Sequence, residues 1–468
     1  MRLPAIALRN LRVRVLSSSL TAFSVALGTG MIAAIWLLLV QVQSRYQSSI
    51  AGYDAVVGPK QGSSLQLFMS TVLNLEDAQG VLPLSVYTEL HDGARARSRY
   101  GLRYAIPQAR GDTVGGFPLI GTTDEMFSAF TRGKDENDQR RHLVLERGET
   151  WSFSHADLLA VAEELAKEMN EPHADHADHG SHPGEEDHDH HEIRKEWCRA
   201  VIGAQVARSL GLDVGSTFVP VHGKSEAGAH EHEEARTTVV GVLAPTYTPI
   251  DRSIYVPIGL QLSLPQHNAI QLAPDANPVT TEVGAKDVQI SSIVVGALGH
   301  LADQNLRYDF QTRADAQVAS PKLEIIKLLS LVGDAAGILR IVAWLVIVVA
   351  AAGVLVALYN TMNERRREIA IMRALGARRL QIFAIIVLEA AVVAGLGAVG
   401  GVLLAHGSAI LFGPAIQARV NVPIDPGAFS IDEVWLILAV TALGALAGFI
   451  PAVKGSTTEV AEHLGPTS

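Results

Sequence analysis

The chain has 468 residues, 48% hydrophobic and 18% charged, with a formal net charge of −10, where soluble domains carry nearer a quarter charged residues. The missing charge is absent from four long stretches rather than thinned evenly, which excludes a soluble enzyme, a disordered chain and a coiled coil. The single cysteine, Cys198, excludes a disulfide scaffold, and the acidic balance argues against a nucleic-acid partner.

Arg2, Arg9, Arg12 and Arg14 precede a first uncharged run at 15–44. A bilayer-spanning helix needs about 20 apolar residues, so a span is predicted over 20–42, after a cytoplasmic segment 1–19. The run is too long for a signal peptide, and no small-x-small cleavage site follows Leu37-Leu38-Leu39-Val40-Gln41, so it reads as an uncleaved anchor.

Residues 43–330 form a large external domain, with 25 basic and 39 acidic residues. Within it, 52–57 and 116–121 read as short strands, and 155–170 as a helix with apolar spacing at Leu158, Val161, Leu165 and Met169. A short helix from Ala204 to Leu210 closes on Gly211. Strands follow at 237–243, 253–257 and 288–298, then a helix at 314–335. The fold class is therefore a membrane protein: four transmembrane α-helices plus a large α+β domain between the first two. That domain is expected to be a mixed core built from both ends of the segment, with an inserted subdomain around 110–235. The stretch 171–192 stands apart. It holds seven histidines and eight acidic residues with no basic or aromatic residue, and cannot bury a core.

The remaining spans are predicted at 338–360, 380–406 and 433–453, with a cytoplasmic loop 361–379, an external loop 407–432 that begins its turn signals at Phe412-Gly413-Pro414, and a cytoplasmic tail 454–468. Arg365, Arg366, Arg367, Arg373, Arg378 and Arg379 crowd the loop after the second span, which puts that loop and the N-terminus on the cytoplasmic side.

That loop reads Asn363-Glu364-Arg365-Arg366-Arg367-Glu368-Ile369-Ala370-Ile371-Met372-Arg373-Ala374-Leu375-Gly376-Ala377, a short amphipathic helix stopped at a glycine C-cap. On charge alone it is an ordinary basic segment touching lipid headgroups. As a sequence it resembles the signature of the FtsX-like permeases, the MacB and LolC/LolE branch of ABC transporter permeases. The likeness extends to 201–216, similar to the G-x-x-x-A-x-x-L-G-L-x-x-G run of the MacB-like periplasmic core. It takes in Val239-Val240-Gly241-Val242-Leu243-Ala244-Pro245 and Asp251-Arg252-Ser253-Ile254-Tyr255-Val256-Pro257, Leu388-Glu389-Ala390 in the third span, and Pro451-Ala452 near the end.

The resemblance implies a non-catalytic permease subunit in the bacterial inner membrane, both termini cytoplasmic and the large domain periplasmic. It implies pairing with a second permease copy, identical or a paralogue, and with two copies of a cytoplasmic ATPase that holds the ATP. Glu364, Arg365, Arg366, Arg367, Glu368 and Arg373 match the loop that contacts that ATPase. The work implied is mechanical, on a periplasmic or lipoprotein partner, rather than passage of substrate through the spans.

This chain shows no nucleotide site of its own. Gly223-Lys224-Ser225 ends like a Walker A motif, but Phe218 stands where its first glycine is needed. Gly395-Leu396-Gly397-Ala398-Val399-Gly400 lies inside a span, where small residues, like Gly444 and Gly448, let helices approach. Glu389 reads as a helix-end or interhelical hydrogen-bonding group, His406 as an interfacial residue, and Cys198 as a buried small apolar residue.

Histidine carries the second signal. His173, His176, His179 and His182 recur every third residue, and His188, His190 and His191 follow Glu185, Glu186 and Asp187. A secondary group is His222, His230 and His232, beside Glu231, Glu233 and Glu234. Neutral imidazoles completed by carboxylates suit Zn²⁺, and also Cu²⁺ and Ni²⁺. The expectation is a permease linked to zinc homeostasis, with the histidine loop as sensor or capture element. The alternatives are a lipoprotein-release or efflux permease with an incidental loop, and a non-transport activator of a periplasmic enzyme.

Overall fold

A computed structural model of the chain describes residues 15–132, 141–170, 193–222, 230–264, 269–270, 282–298, 301–364, 366–420 and 424–457. Two units emerge, Ser44–Leu328 and the pair of segments Met1–Gln43 and Leu329–Ser468.

Among the described residues, the first unit is built on fourteen strands: β1 Ala55–Pro59, β2 Leu82–Pro83, β3 Leu102–Val114, β4 Phe117–Thr122, β5 Leu145–Gly148, β6 Arg199–Ile202, β7 Thr217–Phe218, β8 Val221–His222, β9 His230–Glu231, β10 Thr237–Leu243, β11 Ile254–Pro257, β12 Gln289–Ile290, β13 Ser292–Ala297 and β14 Ala316–Ala319. The main sheet runs β14-β1-β13-β3-β4-β11-β6-β10-β5. The short β7 is attached to β10, and β8 and β9 extend from β3; β12 and β2 pair separately. The β4–β11 and β6–β10 pairs are parallel and the others antiparallel. All five residues of β1 are buried, as are the first five of β13, so these Val-rich strands are covered on both faces. The helix Leu84–His91 buries Leu84, Val86, Tyr87 and Leu90, and the helix Ser64–Thr71 is fixed at its start by a reciprocal Ser63–Gln66 capping box.

Local chemistry explains many of these elements. The helix His155–Asn170 buries Leu158, Val161 and Leu165 at the spacing read from sequence, although Met169, in the same stripe, is exposed. The helix Ala204–Leu210 ends on Gly211 at φ +66°, a left-handed position that costs glycine nothing. The β3–β4 hairpin turns through Gly115 and Gly116, both at positive φ, with Val114 facing Phe117 across a two-residue turn.

Three expectations change. Strands from the 110–235 region join the same sheet as the rest, because β6 pairs with β11 on one side and with β10 on the other. The predicted helix 314–335 begins later: 316–319 is strand β14, paired with β1, and the helix Pro321–Glu364 starts at a proline, whose missing N–H costs nothing in a first turn. The predicted external loop 407–432 is helical in its first half. The helix Arg379–Val420 runs through Gly413 and Pro414, so those turn signals do not stop it.

Four helical stretches among the described residues are long and apolar enough to cross a membrane: Ser18–Gln41, Pro321–Gly353, Arg379–Gln417 and Ile431–Lys454. Ile338, Ile341, Leu345, Val348 and Val349 are all exposed, an apolar surface suited to hydrocarbon rather than water. Close packing is made by small residues. A methyl group added at Gly401 would lie 2.6 Å from the Ala26 carbonyl oxygen, and one at Gly397 would lie 2.7 Å from that of Ala22. At Gly444 and Gly448 it would meet the Cβ atoms of Ala394 and Ala390. Glycine therefore sets how near these helices come. Glu389 is buried. His406 is held by two contacts: its Nδ1 lies 2.6 Å from the Pro426 carbonyl oxygen and its Nε2 3.0 Å from the buried carboxylate of Glu433.

Candidate functional site

The register of one strand assembles a histidine–carboxylate group. In the β3–β8 pair, Asp112 stands opposite His222, and β8 in turn pairs with β9, His222 opposite His230. The chain leaving β9 donates the His232 amide to the Pro220 carbonyl, which holds His232 beside the pair. The sheet thus gathers Asp112, His222 and His232, whose ligand atoms all lie within 4.8 Å of one another.

His222 Nδ1 is 3.1 Å from Asp112 Oδ1, and His232 Nε2 is 3.8 Å from the same oxygen. Ligands on a tetrahedral zinc stand about 3.3 Å apart, given zinc–nitrogen and zinc–oxygen bonds of about 2.0–2.1 Å, so these separations bracket what one ion requires. Asp112 Oδ2 accepts a hydrogen bond of 2.9 Å from Gln261 Nε2. His232 Nδ1 lies 3.2 Å from Glu234 Oε1. A carboxylate behind a ligating imidazole fixes its tautomer and raises its basicity. The side chains of Asp112 and His232 are fully buried, whereas that of His222 is 41% exposed, so the group opens to solvent on one side only. Gln261 is buried too, and its Oε1 has no hydrogen-bond partner among the described residues.

Two imidazoles and one carboxylate are a donor set for a divalent transition metal, with a further position left for water or another side chain. His222 and His232 belong to the group expected from sequence. Of His230 only its place in β9 is described. Asp112 and Gln261 were not foreseen: a lone aspartate and a lone glutamine carry no signal until β3 and the helix Ile258–Leu262 bring them beside the histidines. His173, His176, His179, His182, His188, His190 and His191 lie outside the described residues.

The arginine-rich segment is split as follows. Glu364 ends the helix Pro321–Glu364, and Arg365 lies outside the described residues. Arg366, Arg367 and Glu368 open a helix, Arg366–Ala374, with Arg373 in its last turn. The stop is a glycine: Gly376 has φ +98°, its N–H bonds to the Arg373 carbonyl, and the Ala377 N–H bonds to that of Met372. Ile369 is buried against Ile382, Ile386 and Ala452, with Met372 beside them, so the apolar face of this short helix is seated on its own helical unit. Cys198 is half-buried rather than fully buried, and burial pushes its thiol pKa up; the neighbouring Trp197 is the buried residue.

Residues 340–460, which contain this helix and the glycine-packed spans, match the family model described as FtsX-like permease C-terminal. The macrolide export ATP-binding/permease protein MacB of Nitrobacter winogradskyi is 30% identical over 131 residues, covering 27% of this chain and 19% of that protein. The chain thus matches about a fifth of that relative's length. Both findings bear out the likeness to FtsX/MacB-like ABC transporter permeases and agree with a membrane protein.

Proposed function

From an FtsX-like permease segment at 340–460, we propose that this chain is the membrane subunit of an ABC transporter, worked by a separate ATPase, and that its sheet unit responds to zinc. The observation that carries the permease reading is the helix Arg366–Ala374, seated by Ile369 and bearing arginines inside the matched segment. A firmly mounted helix in the arginine-rich loop suits a cytoplasmic partner that pushes on it. The arginine bias of 365–379 supports a cytoplasmic position for that helix, and with it an inner-membrane permease whose unit Ser44–Leu328 lies outside.

The zinc half rests on Asp112, His222 and His232. Their imidazole nitrogens and carboxylate would hold the ion, Glu234 would orient His232, and Gln261 would orient Asp112. Bound zinc would cross-link β3, β8 and the turn after β9, segments far apart in the chain, and so change the rigidity of one edge of the sheet. The histidine-rich stretch 171–192 would supply ions to that site by raising their local concentration. ATP hydrolysis by the partner would be converted into movement of this outer unit, acting on a periplasmic or lipoprotein partner.

The test is association and turnover. The tagged full chain, co-expressed with the ATP-binding subunit, is expected to purify as a complex that hydrolyses ATP. Ile369→Asp, which unseats the helix, and Arg373→Glu, which inverts its charge, should each weaken association or hydrolysis at least tenfold while the chain still inserts into the membrane. Unchanged hydrolysis and association in both variants would sink the coupling role.

A further inference from the structure

A second cluster lies away from the histidines singled out by sequence. The helix Leu84–His91 carries Tyr87 and His91 one turn apart, and Asp92 caps its end. Glu125 opens the short helix Glu125–Ser128, and His155 opens the helix His155–Asn170. Three separate elements therefore converge. His91 Nδ1 lies 2.7 Å from Asp92 Oδ1 and its Nε2 3.0 Å from Glu125 Oε1. His155 Nε2 lies 3.0 Å from Asp92 Oδ2, and its Nδ1 2.8 Å from the Tyr87 hydroxyl. The two imidazoles stack, with centroids 4.0 Å apart and planes 15° from parallel.

We propose that His91, Asp92 and His155 form a second site for a divalent transition metal of the zinc class, with Glu125 behind His91. Three features carry this. Their ligand atoms lie within 4.8 Å of one another, the span one ion bridges. Two stacked imidazoles repel when both are charged, and a single dication shared with Asp92 removes that cost. Glu125 Oε1 lies 3.0 Å from His91 Nε2, across the ring from the Nδ1 that faces Asp92, so it would orient that imidazole toward the ion. The imidazole–carboxylate donor set favours Zn²⁺, Cu²⁺ or Ni²⁺ over Ca²⁺ or Mg²⁺, which prefer all-oxygen shells. Tyr87 is the partner behind His155, as Glu234 is behind His232. Bound there, the ion clamps the end of one helix to the start of the helix that precedes residues 171–192. This proposal does not depend on the transporter reading or on the Asp112 site.

The test uses the full chain in detergent, lacking 171–192 and carrying His222→Gln, His230→Gln and His232→Gln, so that the other candidate histidine ligands are gone. Calorimetric titration with Zn²⁺ should give one saturable ion per chain. Adding His155→Gln should weaken binding at least a hundredfold, and titration with Mg²⁺ should give no comparable heat. If the parent variant, folded by circular dichroism, binds no saturable Zn²⁺, or if His155→Gln leaves its affinity intact, the site is not a metal site. Should the deletion prevent folding, native mass spectrometry of the otherwise intact chain decides the same question. His155→Gln should hold one ion fewer than the unsubstituted chain, and an equal count overturns the proposal.

Discussion

His232 has one imidazole nitrogen turned toward Asp112 and the other toward Glu234, so a change at Glu234 should reach any ion through the ring. Glu234→Ala is expected to weaken zinc binding about 10–100-fold, the usual cost of losing a carboxylate behind a ligating histidine. Glu233→Ala, which breaks only an exposed pair with Arg236, should leave it unchanged. Equal losses in both variants would show a diffuse charge effect rather than an oriented imidazole. His91 yields a pH prediction for the chelated protein. Its hydrogen bond to Glu125 pushes its pKa up to about 9; burial opposes this, and the bond to Asp92 adds to it. An unfolded histidine titrates near about 6.5. Between those values the folded state holds a proton the unfolded state has released. The stabilisation is therefore complete below about pH 6.5 and is lost as the pH rises through about 9. Melting temperatures with a chelator should fall across that window, and His91→Gln should flatten the fall; an unflattened profile would refute the charged imidazole. At this scale His222 and His232 were legible because imidazoles are rare enough for their density to signal. Asp112 was not, because it is tied to His222 only by a strand register spanning 110 residues.

Elements with a clean period read well. The helices His155–Asn170 and Ala204–Leu210 and the strand Thr237–Leu243 appear at their predicted bounds, because apolar spacing and a closing glycine decide them locally. Strand β3 was invisible as a strand. Arg103, Arg110 and Gly111 interrupt its alternation, and a register shift falls between Arg110 and Thr113. Arg110 explains the irregularity: its buried guanidinium donates to the carbonyls of Ser70 and Thr71 and to the side chains of Asn74 and Gln108, tying the end of the helix Ser64–Thr71 to the sheet. Burial lowers its pKa to about 10, and it stays charged at neutral pH. Pro414 misled in the other direction. A proline after glycine is a turn signal in water, but in an apolar helix neighbouring groups can take up the freed carbonyl. The glycine packing gives a sharp test. Gly401→Val would drive side-chain atoms into the Ala26 carbonyl and the Gly30 amide, whereas Gly407 has nothing within 4 Å. Gly401→Val should destabilise the detergent-solubilised chain by about 1–3 kcal/mol or more, read as a lower melting temperature, with Gly407→Ala near neutral. Similar melting of both variants would mean that this contact does not limit helix approach.

For the whole molecule, the sequence divides cleanly by charge, and the same division separates Ser44–Leu328 from the apolar helices. Class and span number were legible because hydrophobicity over about 20 residues is a strong signal. Strand order was not. The sheet mixes parallel and antiparallel neighbours drawn from 55 to 319, and no local pattern specifies which strand lies beside which. The sheet order nevertheless creates the proposed zinc site, since β3, β8 and β9 meet only there.

We propose that an ion at Asp112, His222 and His232 governs work done through the helix Arg366–Ala374. The rate of ATP hydrolysis by the co-purified complex in lipid nanodiscs, measured across a buffered zinc series for the unsubstituted chain and for His232→Gln, tests this. The rate should change severalfold along a saturable zinc curve in the first and stay flat in the second. A rate indifferent to zinc in the unsubstituted complex, or the same response in both, would contradict the account.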